Sequence, residues 1–139
     1  MAWLRSLTWI ASCSLAAATA FAAEPNSISV HVLDQVQGQP APTVGVTLEE
    51  KSPKSDAWTL VAHATTDDHG RVASLLSKDK PLHKGIYRVT FATGDWYAAH
   101  SQSTFFPSVA VTFQVDDPAQ GYHIPLLLSP FGYSTYRGN

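Results

Sequence analysis

Ile28-Ser29-Val30-His31-Val32-Leu33-Asp34 is the stretch on which the fold turns. Ile28, Val30 and Val32 alternate with Ser29, His31 and Leu33. Successive side chains of a strand point to opposite faces, so this run predicts a half-buried strand with a wholly apolar inner face. Residues 34–40 follow as a Gly/Pro turn. The period of two returns at Val44, Val46 and Leu48, over residues 58–65, in a short run from Arg71, and over residues 86–93, 108–115, 121–128 and 133–137. Short alternating runs separated by Gly, Pro, Asp and Asn predict an all-β sandwich. Residues 95–101 are the one helical candidate, with Asp95 as N-cap and Trp96, Ala99 and His100 at helical spacing. There is no internal repeat, low-complexity segment or interdomain linker, and 139 residues suit one domain.

The start of the chain does not belong to that domain. Arg5 gives a positive beginning, residues 7–18 are almost all apolar or small, and Ala20-Phe21-Ala22 is a small-x-small cleavage pattern. We expect a signal peptide over residues 1–22, a mature domain over residues 23–139 with residues 23–27 as a loose tail, and a periplasmic or secreted location. The apolar run is shorter than the roughly 20 residues that cross a bilayer, which disfavours an anchor. Cleavage removes Cys13, the only cysteine, so no disulfide is available and stability must come from packing and assembly. It also removes Arg5, leaving eight Lys and Arg against eleven Asp and Glu, a formal charge of −3 without a basic run. That balance excludes nucleic acid as an expected partner.

Three segments carry a resemblance. They are Ser29-Val30-His31-Val32-Leu33-Asp34, then Asp67-Asp68-His69-Gly70-Arg71, then Tyr122-His123-Ile124-Pro125-Leu126-Leu127-Leu128-Ser129-Pro130 running on to Gly132-Tyr133-Ser134-Thr135-Tyr136-Arg137-Gly138. In order and spacing the chain resembles the transthyretin-like 5-hydroxyisourate hydrolases, and Thr104-Phe105-Phe106-Pro107 fits as well. Transthyretin, a hormone carrier, shares the Leu-Leu-Ser-Pro and Tyr-Ser-Thr segments. What marks the hydrolases is the set His31, Arg71 and His123 with the Tyr136-Arg137-Gly138 ending. The resemblance implies a transthyretin-like two-sheet sandwich of about eight strands with one short helix, arranged as two four-stranded sheets. It also implies edge-to-edge pairing of sandwiches and a homotetramer whose central channel holds the active sites, without cofactor or metal.

Strand parity bears on this independently. His31 shares the outer face of its strand with Leu33, and His123 shares its face with Pro125 and Leu127. Such a face is too apolar for water and too polar for a core, which suits a surface covered by another subunit. Pro125 fits a strand only if its missing N–H falls at an edge or irregularity.

The implied reaction opens one amide bond in the six-membered ring of 5-hydroxyisourate, giving 2-oxo-4-hydroxy-4-carboxy-5-ureidoimidazoline in urate degradation. Water must reach a ring carbonyl and the oxyanion must be stabilised. Imidazole suits proton removal because its ordinary pKa of about 6.5 lies near working pH. His31 and His123 are therefore expected to share base and orienting work, and the Arg71 fork to meet the carbonyl oxygen. His31, Arg71, Tyr136 and Asn139 are the expected substrate contacts, with Arg137 and Gly138 positioning the tail. Where the family usually ends in serine this chain ends in Asn139, whose amide also donates and accepts, so altered or reduced activity is expected. Taken singly, a strand histidine is more often a surface or satisfied core residue, and Arg71 after an Asp-rich turn would suit a surface pair with Asp67 or Asp68. His63, His69, His83 and His100 lack metal-ligand spacing and are expected at the surface or in turns. Trp58, Trp96, Phe105 and Phe106 are expected to pack. The competing functions are a non-catalytic carrier of a flat aromatic ligand and a metal-handling envelope protein.

Overall fold

The computed structural model describes residues 24–139; the expected leader, Cys13 and Ala23 lie outside the described residues. The quoted stretch forms β1 (Ile28–Asp34), and the chain continues through β2 (Gln39–Pro40), β3 (Gly45–Lys51), β4 (Trp58–Thr65), β5 (Arg71–Val72), β6 (Gly85–Phe91), α1 (Thr93–Ala99), β7 (Val109–Val115), β8 (Tyr122–Ser129) and β9 (Gly132–Thr135). One sheet runs β2-β1-β8-β9 with β5 also on β1, and the other runs β4-β3-β6-β7. Period-two patterning therefore becomes a two-sheet sandwich, with the inward residues of both sheets forming one core. Ile28, Val30, Val32, Val46, Leu48, Val89, Phe91, Leu126 and Leu128 are almost wholly buried in it. Burying each such side chain contributes about 1.5–3 kcal/mol.

The first sheet has five strands where four were expected, because one edge of β1 is divided between two short partners. β2 pairs with Leu33 and Asp34, β5 pairs with Val30 and His31, and the turn before β5 reaches Val32 between them. There the Val32 N–H donates to the Gly70 carbonyl over 2.8 Å. Gly70 has φ +70°, and a Cβ on it would lie 2.4 Å from the Val32 carbonyl oxygen; only glycine fits. The other edge of β1 runs parallel to β8, opposing Ser29 to His123 and His31 to Pro125.

Pro125 lies in the interior strand β8, yet the condition on its missing N–H is met. Its carbonyl accepts from the Thr135 hydroxyl at 2.8 Å, so that side of the residue faces the chain's end. Regular pairing with β9 stops at Leu126 and Thr135, and it resumes only as an isolated bridge between His123 and Gly138. The proline occupies the gap in the ladder.

The helix departs from expectation. It begins at Thr93, its N-cap is Ala92 without a side-chain cap, and Asp95 falls in the first turn, where a carboxylate still complements the helix dipole. Packing by residues 104–107 moves the start. Thr93 Oγ1 donates to the Phe106 carbonyl over 2.5 Å, and the Gly94 N–H donates to the Pro107 carbonyl over 2.8 Å. Trp96 is buried, whereas Phe105 is 73% exposed and packs only edge-on against Phe106. Trp58 lies under the Arg88 guanidinium, 4.2 Å from the ring centre. Among the described residues no helix is long and apolar enough to cross a membrane.

Candidate active site

Three neighbouring strands set one row of polar side chains on the outer face of the five-stranded sheet. Arg71 in β5 stands directly opposite His31 in β1. On the other side, His123 in β8 is opposite Ser29 and therefore diagonal to His31. Residues opposed in a ladder share a face, so the row follows from register and parity. It lies in a cleft of about 710 Å³ lined by Ser29, His31, Arg71 and His123, with Asp67, His69 and Glu24 at its margins.

The turn Asp67-Asp68-His69-Gly70 presents Arg71. Asp67 Oδ1 accepts the backbone N–H groups of His69 and Arg71, each at 2.9 Å, and the Gly70 N–H donates to the Asp67 carbonyl at 2.8 Å. The Arg71 N–H foremost, and the His69 N–H after it, hold the Asp67 carboxyl below its ordinary value. Its carboxylate thus shapes the turn through the Arg71 backbone N–H, and the Arg71 charge acts on it as well.

Both imidazoles favour the neutral state. Burial lowers the pKa of His31 below 6.5 and the Arg71 charge lowers it further, against weaker raising influences from the His69 backbone and Asp67. His123 is lowered by burial, then by Arg71, then by His31. Each is thus available to take a proton at neutral pH. The Nδ1 of His123 lies 2.9 Å from Ser29 Oγ. The tail covers another part of the same ring: a Cβ on Gly138 would lie 2.4 Å from His123 Cδ2.

The sequence singled out His31, Arg71 and His123, and the structure brings them together. Tyr136 and Asn139 are not on this cleft within one chain. Tyr136 is 57% exposed and borders a separate apolar notch with Phe113, Tyr122, Ile124 and Arg137. Arg137 donates to Gln120 Oε1 at 2.9 Å and lies over the Tyr122 ring. Ser29 was missed; its signal was a small polar residue two positions before His31, hence on the same outer face. His69, expected in a turn, is in one, but that turn borders the cleft. Among the described residues no group of three or more His, Cys, Asp or Glu side chains is placed to hold a metal ion.

Comparison with known proteins fits this geometry. The 5-hydroxyisourate hydrolase of Salmonella typhi is 46% identical over 132 residues, covering 95% of each chain. The structure of Klebsiella pneumoniae 5-hydroxyisourate hydrolase superposes with a TM-score of 0.72 at 32% identity, covering 82% of this chain and 99% of that one. Transthyretin from Sparus aurata gives a TM-score of 0.74 at 30% identity, covering 81% of this chain and 96% of that one. The sandwich is thus common to hydrolase and carrier. Residues 28–138 match the HIUase/Transthyretin family, and the chain belongs to that family.

Proposed function

We infer that the chain is an enzyme that hydrolyses 5-hydroxyisourate in urate degradation. The observation that carries this reading is the meeting of His123, His31 and Arg71 in one row on adjacent strands. A hormone carrier has no use for two neutral imidazoles beside a guanidinium.

The chemistry follows from the row. One imidazole takes a proton from water as the water oxygen bonds to the ring carbonyl carbon. The Arg71 fork meets the carbonyl oxygen as it becomes an oxyanion, a contribution of about 3 kcal/mol per donor at such sites. The oxyanion then collapses, the ring C–N bond breaks, and the leaving nitrogen takes the proton from the imidazolium. The product carries a new carboxylic acid, which releases its proton to solvent to become the carboxylate. His31 and His123 divide the base and orienting roles, and these steps call on no metal and no covalent nucleophile.

Three further parts belong to this proposal. The mature domain begins after a leader cut following Ala22 and works in the periplasm or outside the cell; the leader pattern in the sequence supports this. The chain assembles as a homotetramer through the outer face that carries Leu33, Pro125 and Leu127. Tyr136 and Asn139, exposed in one chain, contact substrate in the assembled molecule.

The test is the decay of freshly generated 5-hydroxyisourate, followed by ultraviolet absorbance with the protein, with His123→Asn, and without protein. Acceleration by the protein and its loss in the variant are expected. Equal decay in all three would replace the hydrolase with the carrier.

A further inference from the structure

Ser29 stands outside the set of residues given a chemical role above, yet it makes a close polar contact to one of them. It is 7% exposed, directly opposite His123 in the parallel ladder, and its Oγ lies 2.9 Å from His123 Nδ1. Gly138 crowds the ring from another side, since a Cβ there would lie 2.4 Å from Cδ2 and 3.0 Å from Cγ. With Nδ1 engaged and the Cδ2 side covered, the edge left to the cleft carries Nε2.

The neighbours of that edge decide the tautomer. Arg71 on β5 and His31 on β1 share the cleft with His123, and Asp67 and His69 of the turn and Glu24 before β1 stand around it. Arg71 is the strongest charged influence on His123. An Nε2–H turned toward a guanidinium would set a donor against a cation, whereas a lone pair there is attracted. The proton therefore belongs on Nδ1, where the serine oxygen can accept it.

We propose that Ser29 is a positioning residue whose hydroxyl accepts the Nδ1 proton of His123 and so fixes the tautomer that presents an unprotonated Nε2 to the cleft. The partner of the other nitrogen sets an imidazole's tautomer and orientation. A carboxylate at this place would favour the imidazolium; a hydroxyl orients the ring and leaves it neutral. The proposal rests on the assignment of His123 to the hydrolase site.

Nitrogen-15 NMR of the histidines in the unmodified protein at neutral pH, with His123 assigned by comparison with His123→Asn, tests the tautomer without any activity. Protonated Nδ1 and unprotonated Nε2 are expected, and the reverse tautomer overturns the proposal. Kinetics of Ser29→Ala, Ser29→Thr and Ser29→Asp test the consequence. The alanine variant should lose kcat on the order of ten- to a hundredfold, the scale on which removing the orienting partner of a metal-bound imidazole acts, with KM little changed. Threonine should restore most of it, and aspartate should move the acidic limb of the pH profile upward. Unchanged turnover in Ser29→Ala, equal losses in the alanine and threonine variants, or an acyl adduct on Ser29 detected by mass spectrometry would each overturn it. If the unmodified protein leaves hydroxyisourate decay unaccelerated, the hydrolase reading fails, while the NMR measurement still decides the tautomer. If Ser29→Ala does not fold, that same measurement decides.

Discussion

In the proposed mechanism His31 and His123 gain their usefulness as bases by losing affinity for protons. Both are depressed by burial first and by Arg71 second, so the fraction able to take a proton from water is already high at neutral pH. Turnover should therefore hold steady through neutrality and fall only as pH drops below about 6.5, the ordinary imidazole value. Arg71→Gln removes the cation that helps depress both rings. Its acidic limb should accordingly move to higher pH, and loss of the oxyanion donor should lower kcat on the order of a hundred- to a thousandfold. A pH profile of kcat/KM for both proteins checks the pair of effects. An unshifted limb would mean that Arg71 does not act on the rings. At this scale the sequence was informative through the resemblance of its segments, which singled out His31, Arg71 and His123 where residue type alone favoured surface or packing roles. Ser29 was not singled out, because its meaning depends on facing His123, and that register joins positions far apart in the chain.

The turn from Asp67 to Gly70 does two jobs with one backbone conformation, since it fills the gap between β2 and β5 on β1 and delivers Arg71 opposite His31. Gly70 holds φ +70° with no room for a Cβ beside the Val32 carbonyl. Gly70→Ala therefore meets both backbone strain and overpacking, each about 1–3 kcal/mol. Thermal or urea unfolding should show lowered stability, and kcat should fall with it because Arg71 shifts. A variant with unchanged stability would show that the turn can relax away from Val32. This turn was legible in the sequence; the short strand β2 was not. Strands that bury one face announce themselves by period two, and β1, β3, β4, β6, β7, β8 and, at its start, β9 were all visible that way. β2 is two residues long, has no period to read, and falls in the stretch read as a Gly/Pro turn, whereas β5 was read as a short strand from Arg71. The start of α1 was displaced for a related reason: the Phe106 and Pro107 carbonyls that receive Thr93 and Gly94 come from residues distant in sequence.

Across the whole molecule, the outer face of the five-stranded sheet carries both the row of His123, His31 and Arg71 and an apolar continuation of it. Leu33 and Leu127 are paired across β1 and β8, both half-buried in a single chain, and Pro125 beside them is buried. Strand parity alone predicted the composition of this face. It did not predict that β1 and β8 run side by side and parallel, because such a pairing needs almost the whole domain between them. Apolar area of this kind beside a polar cleft is stabilised when a second copy covers it. A charge placed at its centre would have to be desolvated there or would keep the copies apart. Sedimentation equilibrium of the mature domain should therefore return a mass of four chains, and Leu127→Asp should return a smaller one. If Tyr136 and Asn139 contribute through assembly, turnover per chain should fall in that variant, and it should fall in the unmodified protein on dilution below the assembly range. A single-chain mass with turnover independent of concentration would place the complete active site within one sandwich and remove Tyr136 and Asn139 from it.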